Sequence, residues 1–273
     1  MKFIAEIGWN FVGDMDLAYR MIKAAKQSGA DYAKFQVWDP VNLNAGPWDE
    51  DGRREIYESA FLNDARVEQL RDMCVQEDIG FFVSVFEKQS MDRVANLSTD
   101  IVKIPSHECV NWQLIDAALE IFDQVFLSIG ALTQEQLSTL IYKYQNATNL
   151  IVMHCVSAYP LNIDNVNLPK MQYLQEMFGS VGYSSHFTGT VDAVLACALG
   201  AKYVEKHFTV DHDLPGRDNK FALLPDEFEA MITEARLARS CMNDCGKGMQ
   251  DCENEVAMTM RGRWSRNETR NSS

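Results

Sequence analysis

Short apolar runs recur along the chain, separated by longer stretches in which apolar residues return every three or four positions. The runs are Phe3–Ile7, Tyr32–Val37, Gly80–Val85, Ile101–Ile104, Val125–Ile129, Leu150–Cys155, Ser180–Ser184 and Tyr203–Phe208. Most are apolar on both alternations, the pattern of parallel strands covered by helices on both faces. The stretches between them carry helix punctuation. Asp14 precedes a stripe of Leu17, Met21, Ala24 and Ala25, and Gly29 follows it as a stop. Thr133 and Gln136 form a capping box ahead of Leu137 and Leu140. Pro225, Asp226 and Glu227 open a last helix with Phe228, Met231, Ile232 and Ala235 on one face. Eight strands alternating with helices predict an α/β protein with a single (β/α)8 (TIM) barrel, an open doubly wound sheet being the competitor. The barrel is expected over residues 1–250 and a flexible C-terminal tail over 251–273. The longest connection, residues 38–79, mixes Pro, Asn, Gly and Trp ahead of a helix and is expected to form a lid.

Composition narrows this picture. The 273 residues are close to the length of one barrel, and 47% hydrophobic with 23% charged residues suits a soluble globular protein. The net charge of −14 argues against nucleic acid and anionic membrane as partners. Any phosphate site must then be internal and built from individual residues. Glu6 interrupts the first apolar residues, far short of a secretory signal, and no run reaches a membrane span, so the expected location is the cytoplasm. The sequon Asn267-Glu268-Thr269 is accordingly read as a chance match. Seven cysteines, an odd number, point to reduced thiols, and the spacing of Cys241, Cys245 and Cys252 matches no strong metal pattern.

Candidate chemistry lies at the C-terminal ends of the strand runs, where barrel enzymes keep their active sites. Glu6 ends the first run, Lys34 and Gln36 the second, and Lys103, Ser106 and Glu108 follow from the fourth. Ser128, His154, Ser184 with His186, and Glu205 with His207 end the last four. Alternation puts Lys34 with Gln36, Ser184 with His186 and Glu205 with His207 on common faces. His186 and His207 fall at equal height on neighbouring strands, about 4.8 Å apart, a spacing that could hold one divalent ion with positions left open. Two hydrogen-bonded core histidines are the competing reading. Glu205 could be a ligand or an acceptor behind the ligands. Lys34 and Lys103 could neutralise a phosphate and a carboxylate, with Ser106, Ser128 and Ser184 as neutral donors. Glu6 and Glu108 are either acid/base groups or countercharges to those lysines. The turn Leu214-Pro215-Gly216 followed by Arg217 and Asp218 would lie over the mouth.

At these residues the chain resembles the sialic acid synthase family. The matching stretches are AEIGWN (5–10), GADYAKFQ (29–36), VKIPSHE (102–108), LSIG (127–130), HCVSAYP (154–160), GYSSH (182–186) and EKHFTVDHDLPGRD (205–218). The resemblance implies a (β/α)8 barrel that condenses phosphoenolpyruvate with an amino-sugar aldehyde such as an N-acyl hexosamine, giving a sialic-type acid and phosphate. It implies a divalent metal, Mn²⁺ or Mg²⁺, held by His186 and His207. Lys34, Gln36, Lys103, Ser106, Ser128, Ser157, Tyr159 and Ser184 fall where that family binds phosphoenolpyruvate or sugar. Glu6, Glu108 and Asp218 fall at acid/base or sugar-hydroxyl positions.

Departures bear mainly on the sugar. Phe11, Ser185 and Ser157 stand where that family usually has histidine, aspartate and asparagine. Its members usually carry a further antifreeze-like domain whose arginine reaches a partner subunit's site, and residues 261–273 are too short for one. The expectation is that Arg217, in place of a second proline, substitutes for that arginine in cis. A homodimer is compatible with the resemblance, and the acceptor sugar stays open. Two other readings stand beside the synthase: a barrel that binds a sugar without turnover, alone or as a partner subunit, and a different metal-dependent barrel enzyme, an aldolase or hydrolase.

Overall fold

The structure, a computed structural model, describes residues 1–264. The sequon and most of the polar end of the expected tail lie outside the described residues. Two compact units divide at residue 241. In the first, the strands are β1 (Lys2–Gly8), β2 (Tyr32–Val37), β3 (Gly80–Val85), β4 (Ile101–Ile104), β5 (Gln124–Ser128), β6 (Leu150–His154), β7 (Val181–Ser185) and β8 (Tyr203–His207). All pair in parallel, in chain order, and β8 closes onto β1. The eight apolar runs are these strands, with ends displaced by one residue at most. The open doubly wound sheet is excluded by that closure.

Helices cover the outside: α1 (Met15–Gln27), α2 (Arg53–Ser59), α3 (Asp64–Gln76), α4 (Lys88–Ala95), α5 (Trp112–Ile121), α6 (Gln134–Tyr144), α7 (Leu168–Phe178), α8 (Val191–Ala198) and α9 (Pro225–Ser240). The predicted caps are in place. Asp14 accepts from the amides of Asp16 and Leu17, and the Thr133–Gln136 box is closed in both directions. Gly29 has φ +85° and ends the α1 turn without strain. The stripe of Phe228, Met231, Ile232 and Ala235 is the buried face of α9. The outer core between sheet and helices is mainly apolar, with a buried polar network of Lys206, Ser185 and Asp192 between β7, β8 and α8.

Inside the barrel the floor is a separate apolar plug of Ile4, Phe82, Phe126, Ile151 and Met153, flanked by Tyr32, Ile101 and Tyr203. Its rings interlock: Phe82 stacks on Phe126 at 5.3 Å, and Tyr203 meets Phe126 edge-on at 4.8 Å. The plug leaves the chemistry to the opposite end. In the second unit, residues 251–253 form a short 3-10 turn and Asn254–Thr259 a helix, α10.

Candidate functional site

Two residues beyond six of these floor residues the same strands turn polar. Ile4 gives way to Glu6, Tyr32 to Lys34, Phe82 to Ser84, Ile101 to Lys103, Phe126 to Ser128 and Tyr203 to Glu205. Alternation keeps these side chains pointing inward, and the register places Glu6 beside Lys34 and Ser84 beside Lys103. The result is a cavity of about 500 Å³ lined by all the sequence-predicted site residues except Ser157 and His154, the latter turned outward to the Val166 carbonyl. Ser157 turns instead toward Gly130, where a Cβ would collide with both the Ser157 and Ser106 hydroxyls. Gly130 is therefore required by close approach, and its amide donates to Ser106 Oγ at 3.0 Å.

At the centre lies a four-charge cluster. Lys34 Nζ is 2.6 Å from Glu6 Oε2 and 3.6 Å from Glu205 Oε1, and donates to Ser84 Oγ at 2.9 Å. Lys103 Nζ donates to Glu205 Oε1 at 2.6 Å and reaches Ser184 Oγ at 3.4 Å. The four side chains are only 1–6% exposed. Burial holds the Glu6 carboxyl above the ordinary carboxylate range, with Lys34 opposing it and Glu205 adding to it. Burial would raise Glu205 too, but Lys103 and Lys34 overcome it and hold that carboxyl low. Burial also lowers Lys103. Their surroundings thus drive the two carboxyls in opposite directions. Both lysines lie against these carboxylates, and the Ser128 hydroxyl is buried without a partner. Such a centre is suited to an anion that brings its own acceptor atoms.

His186 and His207 stand above the cluster with ring centroids 5.4 Å apart. His186 Nδ1 faces the Val156 carbonyl at 3.0 Å, so its Nε2 is the nitrogen left for a ligand. Cys155 Sγ is 3.9 Å from the same Nδ1. Burial pushes His207 well below the ordinary histidine range, and His186 adds to that push, so it is a neutral imidazole. Its Nδ1 is buried without a hydrogen-bond partner, 3.8 Å from Asp218 Oδ2. A neutral imidazole with an orphaned nitrogen, beside a second one, fits a divalent cation. Glu205 serves the lysines, and among the described residues no group of three or more His, Cys, Asp and Glu side chains converges for a metal. Any cation here would thus take the two imidazoles and complete its shell with water or substrate.

The mouth is closed on one side by the long 38–79 connection, which contributes Trp38, Trp48, Arg53 and Tyr57 to the lining. Tyr57 stacks flat on Trp9 at 4.7 Å, and Trp9 Nε1 donates to Asp218 Oδ2 at 2.6 Å. Arg217 lies over the Tyr159 ring at 4.5 Å, and Tyr159 packs on His186 at 4.0 Å. The turn carrying Arg217 is not simply solvated: Asp218 and Asn219 are buried, and Asn219 Nδ2 donates to the carbonyls of Pro215 and Asn10. Glu108 faces the cavity and accepts from Asn111 at 2.9 Å, so it is countercharge to neither lysine, whereas Glu6 pairs with Lys34. Sequence reasoning missed Ser84, Trp9, Trp38, Tyr57, Arg53 and Cys155. Ser84 carried a signal, since it ends the third run in the phase of Lys34 and Lys103; the aromatic wall carried none, because only the lid's path over the barrel brings it to the mouth.

Comparison with known proteins gives the same answer by another route. Residues 21–247 match the NeuB family. The pseudaminic acid synthase of Campylobacter jejuni subsp. jejuni serotype O:23/36 (strain 81-176) is 34% identical over 255 residues, covering 88% of this chain and 74% of its own. The N,N'-diacetyllegionaminic acid synthase of C. jejuni subsp. jejuni serotype O:2 (strain ATCC 700819 / NCTC 11168) is 31% identical, covering 88% and 77%. Among solved structures, the N-acetylneuraminic acid (sialic acid) synthetase of Leptospira borgpetersenii serovar Hardjo-bovis, in complex with citrate, superposes with a TM-score of 0.84. It is 29% identical, and the match covers 99% of this chain and 92% of that one. A closed barrel with this mouth, matched over most of its length, places the chain in the NeuB family.

Proposed function

We propose that this protein condenses phosphoenolpyruvate with an open-chain N-acyl hexosamine, giving a nonulosonic acid and inorganic phosphate. The observation that carries this reading is the buried pair Lys34 and Lys103, held inside a barrel of net charge −14 with three neutral hydroxyls, Ser84, Ser128 and Ser184, around them. Each lysine pairs with a carboxylate, but a buried ion cluster stabilises a fold little more than apolar residues of the same volume, so its presence supports a role in holding an anionic ligand.

In this reading Lys34 and Lys103 bind the anionic groups of phosphoenolpyruvate and keep its enol carbon pointed at the mouth. Ser106, Ser128 and Ser184 donate hydrogen bonds to its oxygens, and the Gly130 close approach leaves room for them. Tyr159, Gln36, Asp218 and Arg217 orient the sugar hydroxyls and acyl group, with Trp9, Tyr57 and Trp38 forming an apolar wall. A divalent cation, Mn²⁺ or Mg²⁺, held by His186 and His207, would polarise the sugar aldehyde as a Lewis acid. The enol carbon bonds to the aldehyde carbon, whose C=O π bond opens and whose oxygen takes up a proton. Water adds to the cationic carbon left behind and gives up a proton, and the carbon–oxygen bond to phosphate breaks as the new hydroxyl becomes the keto group, its proton leaving with phosphate. Glu6 takes the proton of that water, its pair with Lys34 setting where the proton rests, and Glu108 stands on the far side of the mouth as the second carboxylate. Ser157 acts indirectly, by shaping the Gly130 turn.

The test is phosphate release from phosphoenolpyruvate with Mn²⁺ across a panel of N-acyl and diacetamido hexoses, with His207→Ala as control. Sugar-dependent release that the variant abolishes is the expected result. Folded protein that releases none with any sugar would overturn the reading and leave a sugar-binding barrel.

A further inference from the structure

One buried lysine takes no part in the cavity. Lys206 sits between Glu205 and His207 on β8, so alternation turns it to the outer face while its neighbours point inward. It is 2% exposed, yet it does not rest on a single carboxylate. Lys206 Nζ donates to the Phe187 carbonyl at 2.6 Å, the Gly189 carbonyl at 2.8 Å and Ser185 Oγ at 3.0 Å, with Asp192 Oδ1 at 3.5 Å. All four partners belong to the segment that leaves β7 and enters α8. Asp192, fully buried, closes the network by accepting from Tyr183 OH at 2.9 Å and from Ser185 Oγ. The Phe187 amide donates to Ser185 Oγ at 3.1 Å.

His186 lies between two of these partners, Ser185 and Phe187, and its carbonyl accepts from the Leu161 amide at 3.0 Å. The backbone on both sides of the imidazole is thus tied to β8, the strand that bears His207. We propose that Lys206 is a positioning residue: from behind the sheet its ammonium clamps the turn that carries His186 and fixes that ring in register with His207. This rests on the reading of the two histidines as a metal pair. A lysine suits the task because three donors on one compact head can take several carbonyl and hydroxyl oxygens at once.

The experiment compares the wild type, Lys206→Met, Ser185→Ala and Leu140→Ala, the last loosening the core under α6 far along the chain from both histidines. Histidine ring resonances are recorded by ¹⁵N NMR on metal-free protein, and Mn²⁺ affinity by EPR titration. The expected result is displaced or broadened His186 resonances in Lys206→Met with Mn²⁺ affinity weakened roughly 10-fold or more. Ser185→Ala should shift the same way by less, and Leu140→Ala should do neither despite its lower stability. Wild-type His186 resonances in folded Lys206→Met, or in Ser185→Ala should the first variant not fold, would overturn the clamp. Because these resonances are read without metal, the clamp stands or falls on them whatever the phosphate-release test decides for the synthase reading.

Discussion

The floor and the mouth of the barrel interior are built by the same strands, two residues apart, and solve burial in opposite ways. At the floor, Phe82, Phe126 and Tyr203 satisfy one another by contact alone. At the mouth, Glu6, Lys34, Lys103 and Glu205 are equally buried and must satisfy one another by charge. A buried ion cluster is commonly no more stabilising than apolar residues of the same volume, because desolvation offsets most of the attraction. The difference between the layers therefore separates what the fold needs from what it is used for. The floor holds the barrel shut, and in the proposed function the mouth spends stability on keeping two lysines and two carboxylates ready for a ligand.

That contrast can be broken or sharpened by substitution. The largest effect should come from the floor. Phe126→Ala removes the ring at the centre of the plug and is expected to lower unfolding free energy by about 3–5 kcal/mol in urea titration. The KM for phosphoenolpyruvate of the folded fraction should stay within roughly twofold, since no floor atom reaches the ligand in this reading. A KM that rises with the loss of stability would mean the layers are coupled. At the mouth, Lys103→Met should cut sugar-dependent phosphate release by about 10²–10³-fold, as removal of one preorganised charge donor does elsewhere. Activity within a factor of ten of wild type would reduce Lys103 to a structural counterion of Glu205.

A third position belongs to neither layer. His154 ends β6, is fully buried, and its Nε2 faces the Val166 carbonyl at 2.8 Å. Burial lowers its pKa to about 4 against the pull of that carbonyl. The folded value lies below the ordinary one, so the unfolded chain takes up the proton first. Its contribution is complete above pH 6.5 and is lost as pH falls toward 4, about 3 kcal/mol in all. Urea midpoints measured between pH 7 and 4 should fall less steeply in His154→Gln than in the wild type. Equal slopes would assign the loss to His207 and His107, which burial also lowers. The smallest effect is expected at Thr133→Ala, which opens the α6 cap at a cost of about 1 kcal/mol and should leave turnover unchanged.

How much of this was legible beforehand differs by level. The strands were legible because a parallel strand covered on both faces is apolar at every position, a local property. So were the caps, since Asp14 and Thr133 act on amides two or three residues away. The polar ends of the runs marked the mouth, because Lys34 or Lys103 inside an apolar run has no other economical explanation. The partners of those residues were legible only in part: Glu6 was weighed as a countercharge and does pair with Lys34. Glu205 was read with the histidines, yet it pairs with Lys103, 102 positions earlier and across the barrel lumen from β8. Ser157 carries a motif position but turns toward Gly130, because the crowding there leaves it that one space.

The sequence by itself determined the alternation of strands and helices, the ends of the helices and the end of the barrel at which ionisable groups collect, since each depends on spacings of two to four residues. Closure of β8 onto β1 decided the rest: which lysine each carboxylate meets, which histidine nitrogen is left free, and which aromatic residues wall the mouth. Those outcomes depend on burial and on distances between residues as far as 209 positions apart, such as Trp9 and Asp218, and such distances exist only once the barrel has shut.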